Sequence, residues 1–407
     1  MFKRINLWKA GAFVGSASAL AGTAFAEGPT LGVYIWGDNQ HGLIDTNDGN
    51  LSIRTPTRVP FLDGQRLRDL SLSSMVAAAV LKNGSVVQWT HPEKHDVVLK
   101  GKSVKKVKVT NDTILALSSG GDVWSWTKDE KKPLKFKVND GLGWFEKIVD
   151  VDAGEDHVAC LTSKGRVLTG MLRQPDEHNG QLGQASFSAF DPPPRPFELR
   201  LVKLIPEQVV QTACGASTTL FRTVSGDVYG CGSNAYGQLM LPYTFKNTKV
   251  SVPTKSTTRL NGGLGPVTNI AAGGEVTYLQ TADKCLVVGN GITGQFGTGS
   301  LAHCQAEPLQ MPLLTGLEEY NEKLGKVETA SPTLWSVSPT HTFVKLSGGS
   351  GSWFVWGNNL KGELGTGKTA KLIKPTLVGQ LENITANSVG DTFVAGNSVS
   401  ACFTKCT

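Results

Sequence analysis

A chain of 407 residues with 40% hydrophobic and 18% charged side chains has the makings of a folded globular protein, which excludes wholesale disorder. A formal charge of +6 falls short of the asymmetry of a dedicated nucleic-acid binder, and seven cysteines, an odd number with no CxxC pair, write no disulfide framework. Glycine is over-used at 47 residues and falls before and after short apolar runs, where tight turns need positive φ; that pattern points to an all-β chain.

The first 26 residues carry Lys3, Arg4 and Lys9 with no acid before Glu27, then an Ala/Gly/Ser-rich, weakly apolar run. Three uses fit: a mitochondrial presequence, a secretory signal ending in Ala24-Phe25-Ala26, or a short membrane span over residues 10–26. The acid-free basic start with scattered serines favours the mitochondrion, and the unpaired cysteines count against an oxidising compartment. Residues 1–27 are read as a mitochondrial presequence or a short anchor, at the inner membrane if retained, with the secretory pathway as the alternative.

Beyond this segment a unit repeats. Its clear copies read VYIWGDNQHGLI from Val33, VYGCGSNAYGQLM from Val228, LVVGNGITGQFGTG from Leu286 and FVWGNNLKGELGTG from Phe354. Each is an apolar strand, then Gly, a polar residue and Asn (Gly291 in the third copy), then Gly-x-Leu or Gly-x-Phe (Gly-x-Ile in the first). A second element precedes most copies, a small-residue turn, an apolar strand and a Gly-centred hairpin, as in AGEDHVACLTSKGRV from Ala153. Two eroded copies, ending at Trp89 and Trp126, keep the hairpin and lose the Gly-x-Leu-Gly tail. Strand ends near Trp36, Trp89, Trp126, Leu168, Tyr229, Val288 and Trp356 give about seven units, spaced on the scale of propeller blades. The first copy starts in mid-unit at Val33, and residues 384–396 supply a front half without a second half. Those halves are expected to share one blade and pin the ring shut. The propeller is placed at residues 31–396 and a tail at 397–407.

In phase and composition these units resemble the regulator of chromosome condensation family, whose repeats run Gly-x-x-His, a hydrophobic strand, Gly-x-Val-Tyr and Trp-Gly-x-Asn-x-x-Gly-Gln-Leu-Gly. The matching positions are Trp36, Gly37 and Asn39; Gly154 and His157; Gly232, Asn234 and Gly237; Gly289; and Trp356, Gly357, Asn359, Gly362, Leu364 and Gly365. The resemblance implies a seven-bladed β-propeller with a central channel and loops on two faces. It does not fix function, because the family includes nucleotide exchange on small GTPases, chromatin binding, light sensing and organelle assembly. The insert at residues 178–206, read as lying between two blades, together with the addressing N-terminus, resembles the family's fungal mitochondrial branch, which implies assembly of respiratory-chain complexes.

No catalytic centre, cofactor site or metal site is expected. Gly289-Asn290-Gly291-Ile292-Thr293-Gly294 satisfies GxGxxG, but a dinucleotide site needs a helix to follow, and Gln295-Phe296-Gly297 follows instead. His157 is read as a structural histidine, and Cys160, Cys214 and Cys231 as buried small hydrophobes. His303 and Cys304, taken as neighbours on a strand, would point to opposite faces and so make no zinc set. Trp124, Trp126 and Trp356 are read as core.

Two features are candidate partner contacts. One is the stiff segment Pro192, Pro193, Pro194 and Arg195. The other is the lysine run containing Lys102, Lys105 and Lys106, which suits acidic head groups, RNA or an acidic protein; alternating lysine and valine also describe an exposed outer strand guarded against edge pairing, and that reading is preferred. The expected role is a non-enzymatic propeller that binds proteins, respiratory-complex subunits or assembly factors above all. Exchange on a small GTPase and a secreted binding module are the alternatives, and a nucleic-acid partner is not expected.

Overall fold

The computed structural model describes residues 32–406 except 47–48, 131, 175–178, 185–193, 243, 245–247, 257–264, 322–324, 348–351 and 378–390. Seven antiparallel sheets form the blades: residues 67–98, 104–135, 148–201, 209–255, 269–310 and 332–377 are blades 1 to 6, and 391–404 with 33–58 make blade 7. In blade 6 the strands run Pro332–Val337, His341–Leu346, Trp353–Gly357 and Leu372–Leu377, each paired with the next, and the other blades repeat this order. The first strand of each blade is the innermost, because the ends of all seven first strands meet at the axis.

Local chemistry sets this geometry. Gly84, Gly165 and Gly226, with φ of +80°, +74° and +85°, turn the second strand into the third. The same turns position the next blade: Val104, Val209 and Val267 donate their N–H to the carbonyls of Gly84, Gly165 and Gly226 at 2.9, 2.9 and 3.0 Å. The apolar core therefore lies in the seams between blades, as where Tyr278, Phe296 and Met311 of blade 5 pack on Val344 and Trp356 of blade 6. Trp124 and Trp126 fill the seam between blades 1 and 2, with Val76, Val80 and Val86.

Closure follows the expected plan. Blade 7 runs in the order 52–58, 33–38, 399–404, 391–395, with Val33 opposite Phe403, Ile35 opposite Ala401 and Gly37 opposite Val399. The two ends of the chain thus share one sheet, and the Cys406 N–H reaches on to Leu67 O of blade 1 at 2.7 Å. The boundary at 396 needs correction: Val399–Thr404, assigned to a tail, is fully buried and is the strand that joins the two halves. Residues 384–390, and the presequence or anchor at 1–27, lie outside the described residues.

Other parts of the sequence reading also change. The insert after Met171 does not lie between blades; it joins the third strand of blade 3, Val167–Met171, to the fourth, Glu198–Leu201. Lys137–Val138 adds a fifth, parallel strand beside Glu198–Leu199. A two-stranded ribbon, Leu317–Asn321 with Lys326–Ala330, sits between blades 5 and 6 and was not foreseen. The two eroded units are structurally complete, each with four strands.

Candidate interaction surface

The signature residues stitch the seams. At the seam of blades 6 and 7, His341 Nε2 lies 2.7 Å from Ser400 Oγ, and Ser400 Oγ and Trp36 Nε1 both donate to Glu363 O, at 2.6 and 2.9 Å. The seam of blades 3 and 4 repeats it: His157 Nε2 faces Thr219 Oγ1 at 2.9 Å, and Thr219 Oγ1 and Cys231 Sγ donate to Gln181 O at 2.7 and 3.6 Å. Between blades 5 and 6, Tyr278 replaces the histidine, facing Thr342, while Trp356 Nε1 donates to Gln295 O at 2.6 Å. His157 and His341 are fully buried, and burial drives their pKa down to about 4 and about 3, so both are neutral at pH 7 and unsuited to proton transfer there.

The asparagines lock the outer loops. Asn359 accepts the Leu364 N–H at 3.0 Å and donates to Lys368 O and Ala370 O; Asn39 holds Ile44, Asp45 and Asn50 in the same way, and Asn234 accepts from Leu239. Gly37, Gly232, Gly289 and Gly357 share φ near +104° to +121°, and a Cβ on any of them would fall 2.0–2.6 Å from the neighbouring strand's backbone. Gly154 has no room either, since its Cβ would meet His157 at 2.2 Å. Gly237, Gly362 and Gly365, also at positive φ, close the turns that carry Leu239 and Leu364 into the core. The GxGxxG stretch behaves likewise: Gly294 N–H closes on Gly291 O at 3.0 Å, and a Cβ on Gly291 would strike the Phe296 ring. These motif positions are consumed by the fold.

The lysine run overturns both readings offered for it. Val104–Thr110 is the innermost strand of blade 2, neither an outer edge nor a surface stripe. Lys106 pairs with Asp150 at 2.6 Å and Lys108 with Asp152 at 2.8 Å on the innermost strand of blade 3, and Lys105 Nζ donates to Val149 O. Asp69 of blade 1 accepts the Val107 N–H from the other side at 2.9 Å, and Asp152 also accepts the Cys214 N–H of blade 4 at 2.8 Å. Burial raises the Asp69 carboxyl and lowers the Lys105 ammonium. Burial also opposes the charge on Asp152, but Lys108 and then Lys106 outweigh it and hold that carboxyl low. Lys102 alone of the three candidates is exposed, in the turn that enters the strand. The missed signal is legible in hindsight: Lys106-Val107-Lys108 and Asp150-Val151-Asp152 are complementary period-2 patterns one blade apart.

The axis itself is narrow. Segments from all seven blades line a cavity of about 100 Å³, and its collar is drawn tight where Glu155 N–H donates to Ala216 O and Ala216 N–H to Gly274 O, at 2.9 and 2.6 Å. Pockets for drug-sized ligands run to roughly 300–1,000 Å³, so this space suits waters. A wider cleft of about 400 Å³ opens on the rim among His41, Met75, Thr90, His91, Lys94 and Lys128.

Other candidates resolve as follows. Pro194 and Arg195 lead into the fourth strand of blade 3, and Pro196 bridges Met171 in parallel; Pro192 and Pro193 lie outside the described residues. His303 and Cys304 occupy a loop rather than a strand, and His303 packs edge-on against Tyr236 at 5.0 Å. Among the described residues no group of three His, Cys, Asp or Glu side chains is placed to hold a metal. Burial raises the thiols of Cys160, Cys214 and Cys231, and that of Cys285 to about 12, which keeps them protonated and poorly nucleophilic.

With this geometry in hand, comparison with known proteins is informative. The regulator of chromosome condensation (RCC1) repeat matches over residues 209–238 in one description and over 225–279 and 350–396 in a second. The chain is 25% identical over 402 residues to the mitochondrial protein FMP25 of Saccharomyces cerevisiae, covering 84% of this chain and 65% of that one. It is 31% identical over 185 residues to a human RCC1-like G exchanging factor-like protein, covering 43% and 34%. It thus spans less than two thirds of either relative. Among solved structures, human WBSCR16 superposes with a TM-score of 0.72 at 19% identity, covering 92% of this chain and 99% of that one.

Proposed function

The chain belongs to the regulator of chromosome condensation repeat family, and from that premise we propose that it is a non-enzymatic, protein-binding propeller of mitochondria that assists assembly of a respiratory-chain complex. The observation that carries the reading is the likeness to yeast mitochondrial FMP25 along 84% of the chain, which joins the propeller to a compartment. The basic, acid-free first 26 residues agree with that address. The seam residues leave binding to what the blades display outward, the loops and clefts of the two faces, so recognition is by surface complementarity.

Exchange on a small GTPase is the second reading, favoured by the likeness to a protein named as an exchange-factor relative. In that case a propeller face would bind the nucleotide-free GTPase in preference to the loaded form. The two readings separate in one experiment. The full-length chain is captured from mitochondria after mild crosslinking, and any GTPase recovered is assayed for nucleotide release. Respiratory-complex subunits or their assembly factors without accelerated release are expected; a GTPase whose release the chain accelerates supports exchange instead.

A further inference from the structure

Trp36, Trp89, Trp124, Trp126, Trp353 and Trp356 are buried, whereas Trp144 is 87% exposed and its neighbour Phe145 is 97% exposed. The two rings cap the turn that links blade 2 to blade 3, 6.3 Å apart and edge to face. That turn is held firmly. Gly143 N–H donates to Glu146 Oε2 and Glu146 N–H to Gly143 O, both at 3.0 Å, and Arg166 of the neighbouring hairpin grips the Glu146 carboxylate through Nε at 2.9 Å and Nη2 at 2.6 Å. The Glu146 side chain is 1% exposed, and its bonds to Arg166 hold it down at about pKa 2. Phe145 itself sits at φ +60°, a left-handed conformation that a bulky side chain adopts at a cost. A half-buried ion pair and a strained residue thus keep two large aromatic rings in water, which a mere connection between blades does not require.

The surroundings show what such a tip would meet. Hydrogen bonds step from blade to blade along this end of the molecule: Val104 to Gly84, Ser119 to Ser103, Lys147 Nζ to Ser119, Ser163 to Lys147, Val209 to Gly165 and Val224 to Gln208. Along the same arc Leu204 and Val224 are exposed, and so are Lys82, Lys102, Lys147, Lys164 and Lys203. The apolar side chains stand on loop tips rather than lining a groove, and the five flanking lysines outnumber the exposed acids Asp140 and Glu207 of the same loops. Projecting aromatic and aliphatic groups with basic neighbours complement a flat, anionic, amphipathic surface.

We propose that this end of blades 2 to 4 docks on an anionic lipid bilayer, with Trp144 and Phe145 entering the head-group region and the flanking lysines lying at the level of the phosphates. The proposal is independent of which partner or compartment the chain serves.

The test uses the full-length chain with vesicles of phosphatidylcholine alone or mixed with phosphatidylglycerol, read by co-sedimentation and by the tryptophan emission maximum. Binding to the anionic vesicles with a blue shift is expected, weakening as salt is raised. Trp144→Ser/Phe145→Ser should abolish the shift and lower partition about tenfold or more. Lys102→Gln/Lys164→Gln should lower it about fivefold per lysine, since each contributes about that factor near a charged surface. The N-terminal segment is common to every chain, so differences report on this face, and unchanged circular dichroism establishes that the variants fold. Equal binding by wild type and both variants, or no preference for the anionic vesicles, would overturn the proposal. So would a chain that binds no vesicle yet loses a captured protein when the two rings are removed, which would assign the face to a protein.

Discussion

The clasp between blades 6 and 7 lends itself to a quantitative test. His341 and Ser400 are fully buried, 2.7 Å apart, and Ser400 passes the bond on to Glu363 O. Ser400→Ala leaves His341 Nε2 without its partner, while Nδ1 keeps Thr340 Oγ1, and removes one donor to that carbonyl, for a cost of about 1–3 kcal/mol. His341→Ala leaves the Ser400 hydroxyl its bond to Glu363 O but removes the imidazole and its contacts and adds a cavity, for about 2–4 kcal/mol. Because the two groups share one bond, the double variant should lose less than the sum, with a coupling of about 1 kcal/mol. Equilibrium urea unfolding of the full chain, followed by tryptophan fluorescence, measures all three. The same clasp predicts a pH dependence. An imidazole held at about pKa 3 when folded and near 6.5 when unfolded contributes stability that is complete above about pH 6.5 and drains as pH falls through the folded value. The gap between wild type and His341→Ala should therefore narrow by about 3 kcal/mol from pH 6.5 to pH 4, at about 1.4 kcal/mol per unit. Additivity within about 0.4 kcal/mol, or a gap that does not change with pH, would refute the clasp.

Other expectations follow from the same contacts. Gly357→Ala, at φ +121° with its Cβ 2.6 Å from the His341 and Thr340 backbone, should cost at least about 3 kcal/mol, whereas Gly101→Ala, with open space around it, should cost about 1 kcal/mol, both by urea midpoint. Asp152→Ala leaves the Cys214 N–H and Lys108 without their acceptor and should destabilise by about 1–3 kcal/mol by urea midpoint, through the stranded N–H. Deleting residues 399–407 removes the strand that joins both halves of blade 7, and the chain should lose its cooperative unfolding transition; a retained transition would show that closure is dispensable.

The features read correctly in the sequence were those that backbone conformation dictates. Gly37, Gly232, Gly289 and Gly357 recur because each sits at positive φ against a neighbouring strand, and that requirement set the phase of the repeat and the count of blades. Features that depend on a distant partner were harder to read. Lysine and valine alternate identically on an inner and an outer strand; what places Lys106 and Lys108 at the axis is Asp150 and Asp152, one blade away. Val399–Thr404 has no hairpin glycine after it to mark it as a blade strand; its continuation is the strand at Val33, at the other end of the chain. The ribbon at 317–330 is rich in charge in sequence and its strands pair only with each other, so the blade repeat does not announce it. Trp144 and Phe145 went unnoticed for the opposite reason, because sequence pattern assigns aromatic residues to cores and only the folded chain reveals them in water.

The claim that this propeller works in mitochondria is tested most directly by tagging the full-length chain at its C-terminus and following it through cell fractionation, protease protection and carbonate extraction. The account predicts that the tag is recovered with mitochondria and protected from external protease until the membranes are opened, with carbonate extraction reporting whether the chain is anchored. Recovery in the medium, in secretory membranes or in nuclei would contradict it.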